Sequence, residues 1–303
     1  MKQALKSIAI GLVIITFSSC GDGFRNCIKG DGHYISETRI ISEPFIGVEL
    51  DGSFNVYINS DTVQSVIVDA DSNIIPYIIT RVRSNRLLID SDKKCFRTKK
   101  SIDIYVTIPE VEEIIHNGSG IIECNEMETQ EAVVELNGSG EIFVDLIYSD
   151  DARIMHDGSG IININYLDTY NEAFVSLDGS GKVDIERVKT YTLTIEHDGS
   201  GEVNMYKIDA NYISAILDGS GSIELEGDAG QSDLKLTGSG NIDAFRLYQD
   251  VCDAYISGSG SIYVFVIDDL YAEVPGSGVI YFKGSPRIFY SGSTSHNKVI
   301  PVN

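Results

Sequence analysis

The tripeptide Gly-Ser-Gly recurs nine times, with its first glycine at positions 118, 138, 158, 179, 199, 219, 238, 258 and 276. Successive copies lie 20, 20, 21, 20, 20, 19, 20 and 18 residues apart. Gly-Ser-Gly alone has the composition of a loose linker, but the segments between copies alternate Val, Ile and Leu with polar residues, which is strand chemistry. A period near 20 built from strands implies one turn of a β-solenoid per repeat, each coil stacking on the last as parallel strands about 4.8 Å apart. Leucine-rich repeats share the period but need a Leu-x-x-Leu-x-Leu and Asn signature, which the chain lacks.

A solenoid must stack inward residues in columns, and alignment on the first glycine tests this. Four residues later every copy has Ile or Val, from Ile122 and Ile142 to Ile262 and Ile280. Six residues later come Cys124, Val144, Ile164 and their successors to Phe282, all apolar. Nine residues later Met127, Ile147, Leu167, Val188, Ile208, Leu247 and Ile267 form a third column, interrupted by Asp228. Two residues before the glycine, Leu136, Leu177, Leu217, Leu236, Ile256 and Val274 form a fourth, which His116, His156 and His197 enter. Interleaved positions are mostly polar, so each side of a coil has one dry and one wet face. Parallel crossovers are right-handed almost without exception. The expected fold is all-β: a single-stranded right-handed parallel β-helix of about 20 residues per coil with Gly-Ser-Gly corners. Glycine suits a corner that must turn sharply beside its neighbours, and the Asn or Asp that precedes most copies suits a turn.

Residues 34–110 read as an irregular N-terminal β portion, residues 111–283 as the regular coils and residues 284–303 as a C-terminal cap. Within the first, Val48 and Leu50 before Asp51-Gly52-Ser53, with Val56 and Ile58 after, form a degenerate coil. The stretches SVIVDA, RLLIDS and SIDIYVTIP read as further strands, and Asn73 to Ile79 as a short helix.

The N-terminus has Lys2 and Lys6, an apolar run from Ile8 to Phe17, then small residues ending at Cys20. This is the anatomy of a secretory signal, residues 1–19, too short for a comfortable membrane span. Phe17-Ser18-Ser19-Cys20 is similar to a bacterial lipobox, with Phe17 in place of the usual aliphatic residue. Cys20 is therefore the expected lipidation site, and residues 20–33 the lipid anchor and linker. The expectation is an outer-membrane lipoprotein of a Gram-negative bacterium, on the surface or the periplasmic face, that meets the membrane through its N-terminal lipid.

The formal charge is −22, and loss of Lys2 and Lys6 with the leader makes it −24. Such a field repels phosphate backbones and anionic lipid surfaces, which argues against nucleic acid as a partner. Cys27, Cys95, Cys124 and Cys252 remain after the leader. Export permits disulfides. Cys124 and Cys252 fall on inward positions about six coils apart, on the order of 30 Å, beyond disulfide reach. Cys27 and Cys95 flank the irregular portion and could close it.

With CIKGDG at Cys27 to Gly32, FIGVELDGSFNVYI at Phe45 to Ile58, and then the array of Gly-Ser-Gly coils, the chain resembles the bacterial head GIN domain family, also called auto-transporter adhesins. The resemblance covers essentially the whole mature chain. It implies an exported β-helical protein, often a lipoprotein, with an adhesive role, and it carries no binding residues that could be transferred.

Candidate chemistry is sparse. Alternation of the histidines with leucines puts successive rings two coils apart, about 9.6 Å, too far to share a metal ion. Asp150-Asp151 and Asp268-Asp269 are paired carboxylates, as β-helical hydrolases and lyases use, but neither has a neighbouring Gly-His-Gly or Arg-x-Lys element of polygalacturonase type, and both read as solvated turn residues. The outward positions three, five and seven residues after the glycine gather Glu141, Asp145, Asp184, Glu186, Glu202, Glu224, Glu226 and Asp243. Among these, Asp184, Glu186, Glu202, Glu224 and Glu226 are the candidate ligands for a cation such as Ca²⁺, which would relieve stacked like charges. No cofactor is otherwise indicated. Toward the C-terminal end the same face turns aromatic, with Phe245, Tyr263, Phe265 and Tyr281, and Tyr206 nearby. Exposed, these rings form a candidate patch for a glycan or protein ligand; the alternative is that the tail from Gly284 folds over them.

The expected function is a non-enzymatic binding or adhesion module of the cell envelope. The alternatives are a β-helical polysaccharide lyase or hydrolase, and a periplasmic scaffold that assembles as a homo-oligomer through the aromatic face.

Overall fold

The structure is a computed structural model that describes residues 27–91, 94–292 and 296–302. The expected signal peptide and Cys20 lie outside the described residues. Ten strands precede the regular array: β1 (Ile28–Lys29), β2 (Tyr34–Arg39), β3 (Gly47–Asp51), β4 (Asn55–Ser60), β5 (Ser65–Asp71), β6 (Ile79–Arg83), β7 (Arg86–Asp90), β8 (Phe96–Arg97), β9 (Asp103–Ile108) and β10 (Glu113–His116). The array follows as β11 (Ile121–Leu136), β12 (Glu141–Gly158), β13 (Ile161–Gly179), β14 (Lys182–Ile185), β15 (Val188–Gly199), β16 (Glu202–Gly219), β17 (Ser222–Leu236), β18 (Asn241–Ile256) and β19 (Ser261–Glu273). It ends with β20 (Val279–Gly284), β21 (Arg287–Tyr290) and β22 (Val299–Pro301).

Every pairing from β10 onward is parallel, and the register carries each residue to its counterpart one repeat later, Ile122 to Ile142 to Ile162 to Val183. The chain is the expected parallel β-solenoid. The buried residues of one coil fall in three groups: Ile142 with Val144, then Ile147, then Ala152 with Ile154 and His156. The members of the first, second and fourth columns are buried throughout.

The third column departs from expectation at two places, both where a coil is short. Asp228 does not interrupt it, because the register shifts and Gly227 takes the place between Ile208 and Leu247. Ile267 is 48% exposed and Val266 is buried instead. Residues 245–247 of β18 have no partner in β19, so Tyr248 pairs with Phe265 and Gln249 with Val266. An odd change of register turns side chains to the opposite face: the offset between β18 and β19 goes from 20 residues at Ala244 and Val264 to 17 at Gln249 and Val266, and an even 18 returns at Val251 and Asp269, within the same strand.

The corners show why glycine is required there. A Cβ on the first glycine of each copy would strike the carbonyl oxygen of the same glycine one coil earlier, at 2.0 Å for Gly118 on Gly52, 2.4 Å for Gly138 on Gly118 and 2.2 Å for Gly199 on Gly179. That oxygen is held by the following serine, whose N–H donates to it, as from Ser139 to Gly118 at 3.1 Å and Ser200 to Gly179 at 2.9 Å. Close approach is thus the common cause, and a left-handed backbone adds to it at Gly158, Gly179, Gly199 and Gly219. The second glycine leaves room for the fourth inward column: a Cβ on Gly181 would meet His156 Nε2 at 2.0 Å, and one on Gly201 the Leu177 side chain at 2.9 Å.

The N-terminal portion is not laid down in sequence order. β3 and β4 form a coil under β10 and β11, but β7 and β9, later in the chain, form the layer beneath β3 and β4. Beyond that layer the pairing becomes antiparallel, β6 on β7, β5 on β9 and β2 on β5. The antiparallel strands cover an edge that would otherwise be open for pairing with another chain. The segment expected as a helix is a single 3₁₀ turn, Ile75–Tyr77, opened by Pro76, with Ile74, Ile75 and Ile78 buried beneath the stack. A disulfide joins Cys27 to Cys95, and β1 pairs with β8 beside it. Cys124 and Cys252 are free and buried. At the other end β21 pairs with β19 and β22 with β20, so the described part of the tail continues the stack.

Candidate binding face

Outward side chains after the corner form columns because the strands are in register. The column five residues after the glycine runs Tyr105, Tyr57, Glu123, Phe143, Asn163, Asp184, Asn204, Glu224, Asp243, Tyr263 and Tyr281. It is aromatic at both ends and polar in the middle. Tyr57 and Tyr105 stack with centroids 5.2 Å apart at one end, and Tyr263 and Tyr281 stack at 5.1 Å at the other.

Three hollows lie along this face. Tyr57, Tyr105, Asn125, Asp145 and Phe143 line the first; Phe143, Asn163, Asn165, Lys182 and Tyr206 the second; and Lys182, Tyr206, Asn204, Asp243 and Tyr263 the third. Phe143 is shared by the first two, and Lys182 with Tyr206 by the last two, so the hollows form one trough. Burial, then the neighbouring Asp103 and Glu123, push the Tyr57 phenol above its usual range, and burial, then Glu224 and Asp184, do the same to Tyr206. Both rings therefore remain neutral hydrogen-bond donors at ordinary pH.

The carboxylates of the middle coils are held by side chains of this chain. Asn165 Nδ2 donates to Asp145 at 2.6 Å, Asn204 to Asp184 at 2.8 Å and Asn163 to Glu141 at 3.2 Å. Lys182 lies 2.9 Å from Asp184 and 3.9 Å from Glu202, Lys207 pairs with Glu186, and Arg246 pairs with both Glu224 and Glu226. Among the described residues no group of three or more His, Cys, Asp or Glu side chains comes together to hold a metal ion. Asp184, Glu186, Glu202, Glu224 and Glu226 are thus distributed along the face, and lysine, arginine and asparagine answer their repulsion where a cation was expected.

The aromatic patch divides in two. Phe245 meets Tyr263 edge-on at 5.1 Å and Tyr263 stacks on Tyr281, with Lys283 over the Phe245 ring at 4.3 Å. Phe265 pairs instead with Tyr248 at 4.8 Å, because the unpaired residues 245–247 bring Tyr248 alongside it. Phe245, Tyr263, Phe265 and Tyr281 are half-buried, and Tyr248 is exposed. β22 sets Ile300 beside Tyr281 in the same column, so the described tail extends this edge.

The other candidates resolve into structure. His156 places Nδ1 3.0 Å from Leu136 O and Nε2 2.8 Å from Gly160 O, and His197 repeats this on Leu177 and Gly201. These rings tie the fourth column to the corner. Asp269 is bidentate with Arg287 at 2.6 Å, and Asp151 accepts the Glu172 N–H at 3.2 Å. Sequence reasoning missed the far aromatic end. Tyr57 and Phe143 were within its reach, each five residues after a corner glycine; Tyr105 was not, because its coil is out of order.

The sequence matches the family described as "putative auto-transporter adhesin, head GIN domain" over residues 44–207 and again over 173–286. No curated protein matches it. Among solved structures, a "putative lipid binding protein" from Parabacteroides distasonis is similar at 24% identity, over 91% of this chain and 99% of that one, with a TM-score of 0.50. A "putative adhesin" from the same species shares 21% identity over 91% and 97% of the two chains, with a TM-score of 0.45. Another from Parabacteroides merdae shares 19% over 91% and 96%, also at 0.45.

Proposed function

The chain belongs to the head GIN domain family, and on that premise we propose that it is a non-enzymatic binding module of the bacterial cell envelope, anchored at the outer membrane through a lipid on Cys20, whose trough takes an extended neutral glycan. The observation that carries this reading is the continuous face, with aromatic rings at both ends and amide, hydroxyl and carboxylate groups between them. Rings offer flat apolar platforms to the faces of sugars, and the intervening groups suit their hydroxyls. A ladder that repeats at the strand spacing of about 4.8 Å fits a repeating polymer better than a compact ligand. The formal charge of −22 on the sequence disfavours anionic polysaccharides, which selects neutral ones. The carboxylates that a hydrolase would use are engaged by asparagine, lysine and arginine, which supports a binding role.

Affinity electrophoresis of the full chain through gels containing neutral polysaccharides tests this. At least one polymer should retard it, and Tyr263→Ala with Tyr281→Ala should weaken retention by about tenfold or more, the usual scale for aromatic anchors. Tyr57→Ala with Phe143→Ala should weaken binding of long chains but not of short oligosaccharides. Absence of retardation across the panel, or variants that bind as well as the parent, overturns the glycan reading. Release of new reducing ends overturns the non-enzymatic one.

A further inference from the structure

The net charge conceals a polarity. Residues 111–283 hold 32 acidic and 8 basic side chains, a net −24, whereas residues 20–110 hold 13 acidic and 11 basic. Four of those 11 cations fall within residues 94–100, as Lys94, Arg97, Lys99 and Lys100, with no acid among them. The fold adds a fifth, because the β1 and β8 pairing sets Lys29 opposite Arg97, beside the Cys27 to Cys95 disulfide. All five side chains are exposed.

Of the eight cations of the coils, by contrast, Lys182, Lys189, Lys207, Arg153 and Arg246 have a carboxylate partner, and Arg187 and Lys283 lie over the Tyr166 and Phe245 rings. No such ion pair engages the five among the described residues; Lys100 lies over the Tyr34 ring at 4.5 Å. Lys29, Arg97 and Lys99 line a cleft floored by Gly30 and Gly32. The two acids at the cleft are turned to the chain itself. Asp71 accepts the Gly32 N–H at 3.0 Å, and Asp31 accepts the Ser72 hydroxyl at 2.6 Å and the His33 N–H at 2.8 Å. The Cys27 to Gly32 motif thus serves to hold this turn: a Cβ on Gly30 would overlap the Asp71 carboxylate at 1.9 Å.

The position of the cluster along the chain supplies the second argument. Cys27 follows Cys20 by seven residues, and seven residues span at most about 25 Å. A lipid on Cys20 therefore keeps the disulfide and its cations close to the membrane, whichever way the coils point. With a Debye length of about 8 Å at physiological salt, only the part of the protein nearest the surface feels the headgroup charge, so contact through the cations is favoured and contact through the acidic coils opposed.

We propose that Lys29, Lys94, Arg97, Lys99 and Lys100 form a membrane-facing foot that docks on the phosphate headgroups of an anionic lipid surface and stands the acidic coils away from it. The proposal rests on the lipid-anchored reading given above. It is tested by reconstituting the full chain in vesicles of phosphatidylethanolamine with phosphatidylglycerol, or of phosphatidylcholine alone, and following lysine acylation by mass spectrometry. Lys29, Lys94, Lys99 and Lys100 should react at least about fivefold more slowly on the anionic vesicles, with Lys235 in the coils unchanged and the difference erased by about 0.5 M salt. Equal reaction on both vesicles overturns the foot. The mass of the N-terminal peptide tests the anchor separately. Should it carry no acyl chain, co-sedimentation of the same chain decides: anionic vesicles should bind it, and Lys29→Gln, Arg97→Gln, Lys99→Gln and Lys100→Gln together should reduce binding by about a hundredfold. Unchanged binding by that variant, or none by the parent, overturns the proposal.

Discussion

In the regular coils the chain returns to the same place every 18 to 21 residues, and each turn rests on the one before it. Between residues 28 and 108 it does neither: a coil formed early by β3 and β4 is enclosed by a later one, β7 and β9, and antiparallel strands close the end. The two regions use the same inward aliphatic residues and a similar corner, Asp51-Gly52-Ser53 against Asp198-Gly199-Ser200, yet they depend on that corner differently. A Cβ at Gly52 would have the Phe54 ring as its nearest neighbour, at an ordinary 3.4 Å, whereas one at Gly199 would overlap a backbone oxygen. A repeated corner is constrained by its stacked neighbour, and the first of the series has no such neighbour in the direction its Cβ would take.

The largest effect that should separate the two regions is therefore substitution of these glycines. Gly199→Ala combines a left-handed backbone, φ +137°, with a 2.2 Å overlap on backbone that cannot rotate away. It should cost about 4 kcal/mol or more, while Gly52→Ala costs less than about 1 kcal/mol. Urea midpoints of the two variants measure the difference, and similar losses would remove close approach as the reason for the motif.

A smaller effect concerns how the N-terminal region is closed. The disulfide spans 68 residues, so Cys27→Ser with Cys95→Ser should destabilise that region by about 2–4 kcal/mol. Amide exchange should accelerate in β1, β2 and β8 and stay unchanged from β12 to β18. Acceleration spread evenly over all coils would mean that the two regions unfold as one cooperative unit.

A third effect concerns the buried thiols, both in the regular coils, Cys124 in the first of them and Cys252 far from it. Burial pushes Cys124 and Cys252 up to about 12 from an ordinary 9.0. Neither should react with a thiol reagent at pH 8 in the native protein, and after reduction of the disulfide Cys124, whose strand β11 pairs with β4, should react before Cys252. Between about pH 9 and 12 the unfolded chain releases protons that the native thiols retain, so stability falls as pH rises through that window. Stability that rose there would place the thiols in a polar setting.

Much of the proposed binding face was legible before the structure. Tyr263 and Tyr281 lie five residues after their glycines, and register alone makes them neighbours. Phe265 finds its ring partner in Tyr248: the 18-residue spacing from Gly258 to Gly276 marks the coil as short, but the fit between the two coils decides that residues 245–247 are the ones left unpaired. The carboxylates were found on the correct face, but their partners were not: Lys207 and Arg246 each reach a carboxylate about one coil earlier, at a separation of 20 or more residues.

By itself the sequence determined the period, the parallel stacking, the residues that face inward, the glycine corners, and the separation of Cys124 from Cys252. All of these follow from side-chain alternation and a fixed repeat, which act within a coil and between adjacent coils. Only the tertiary structure decided the order of the N-terminal layers, the exposure of Ile267, the two aromatic groupings and the assembly of the basic cluster around the disulfide. Those depend on which strand edges meet when several similar aliphatic strands compete, and β3 offers an equally apolar edge to β7 and to β10. Local pattern specifies that such an edge will be paired; which partner takes it is settled by how the whole end of the stack can be closed.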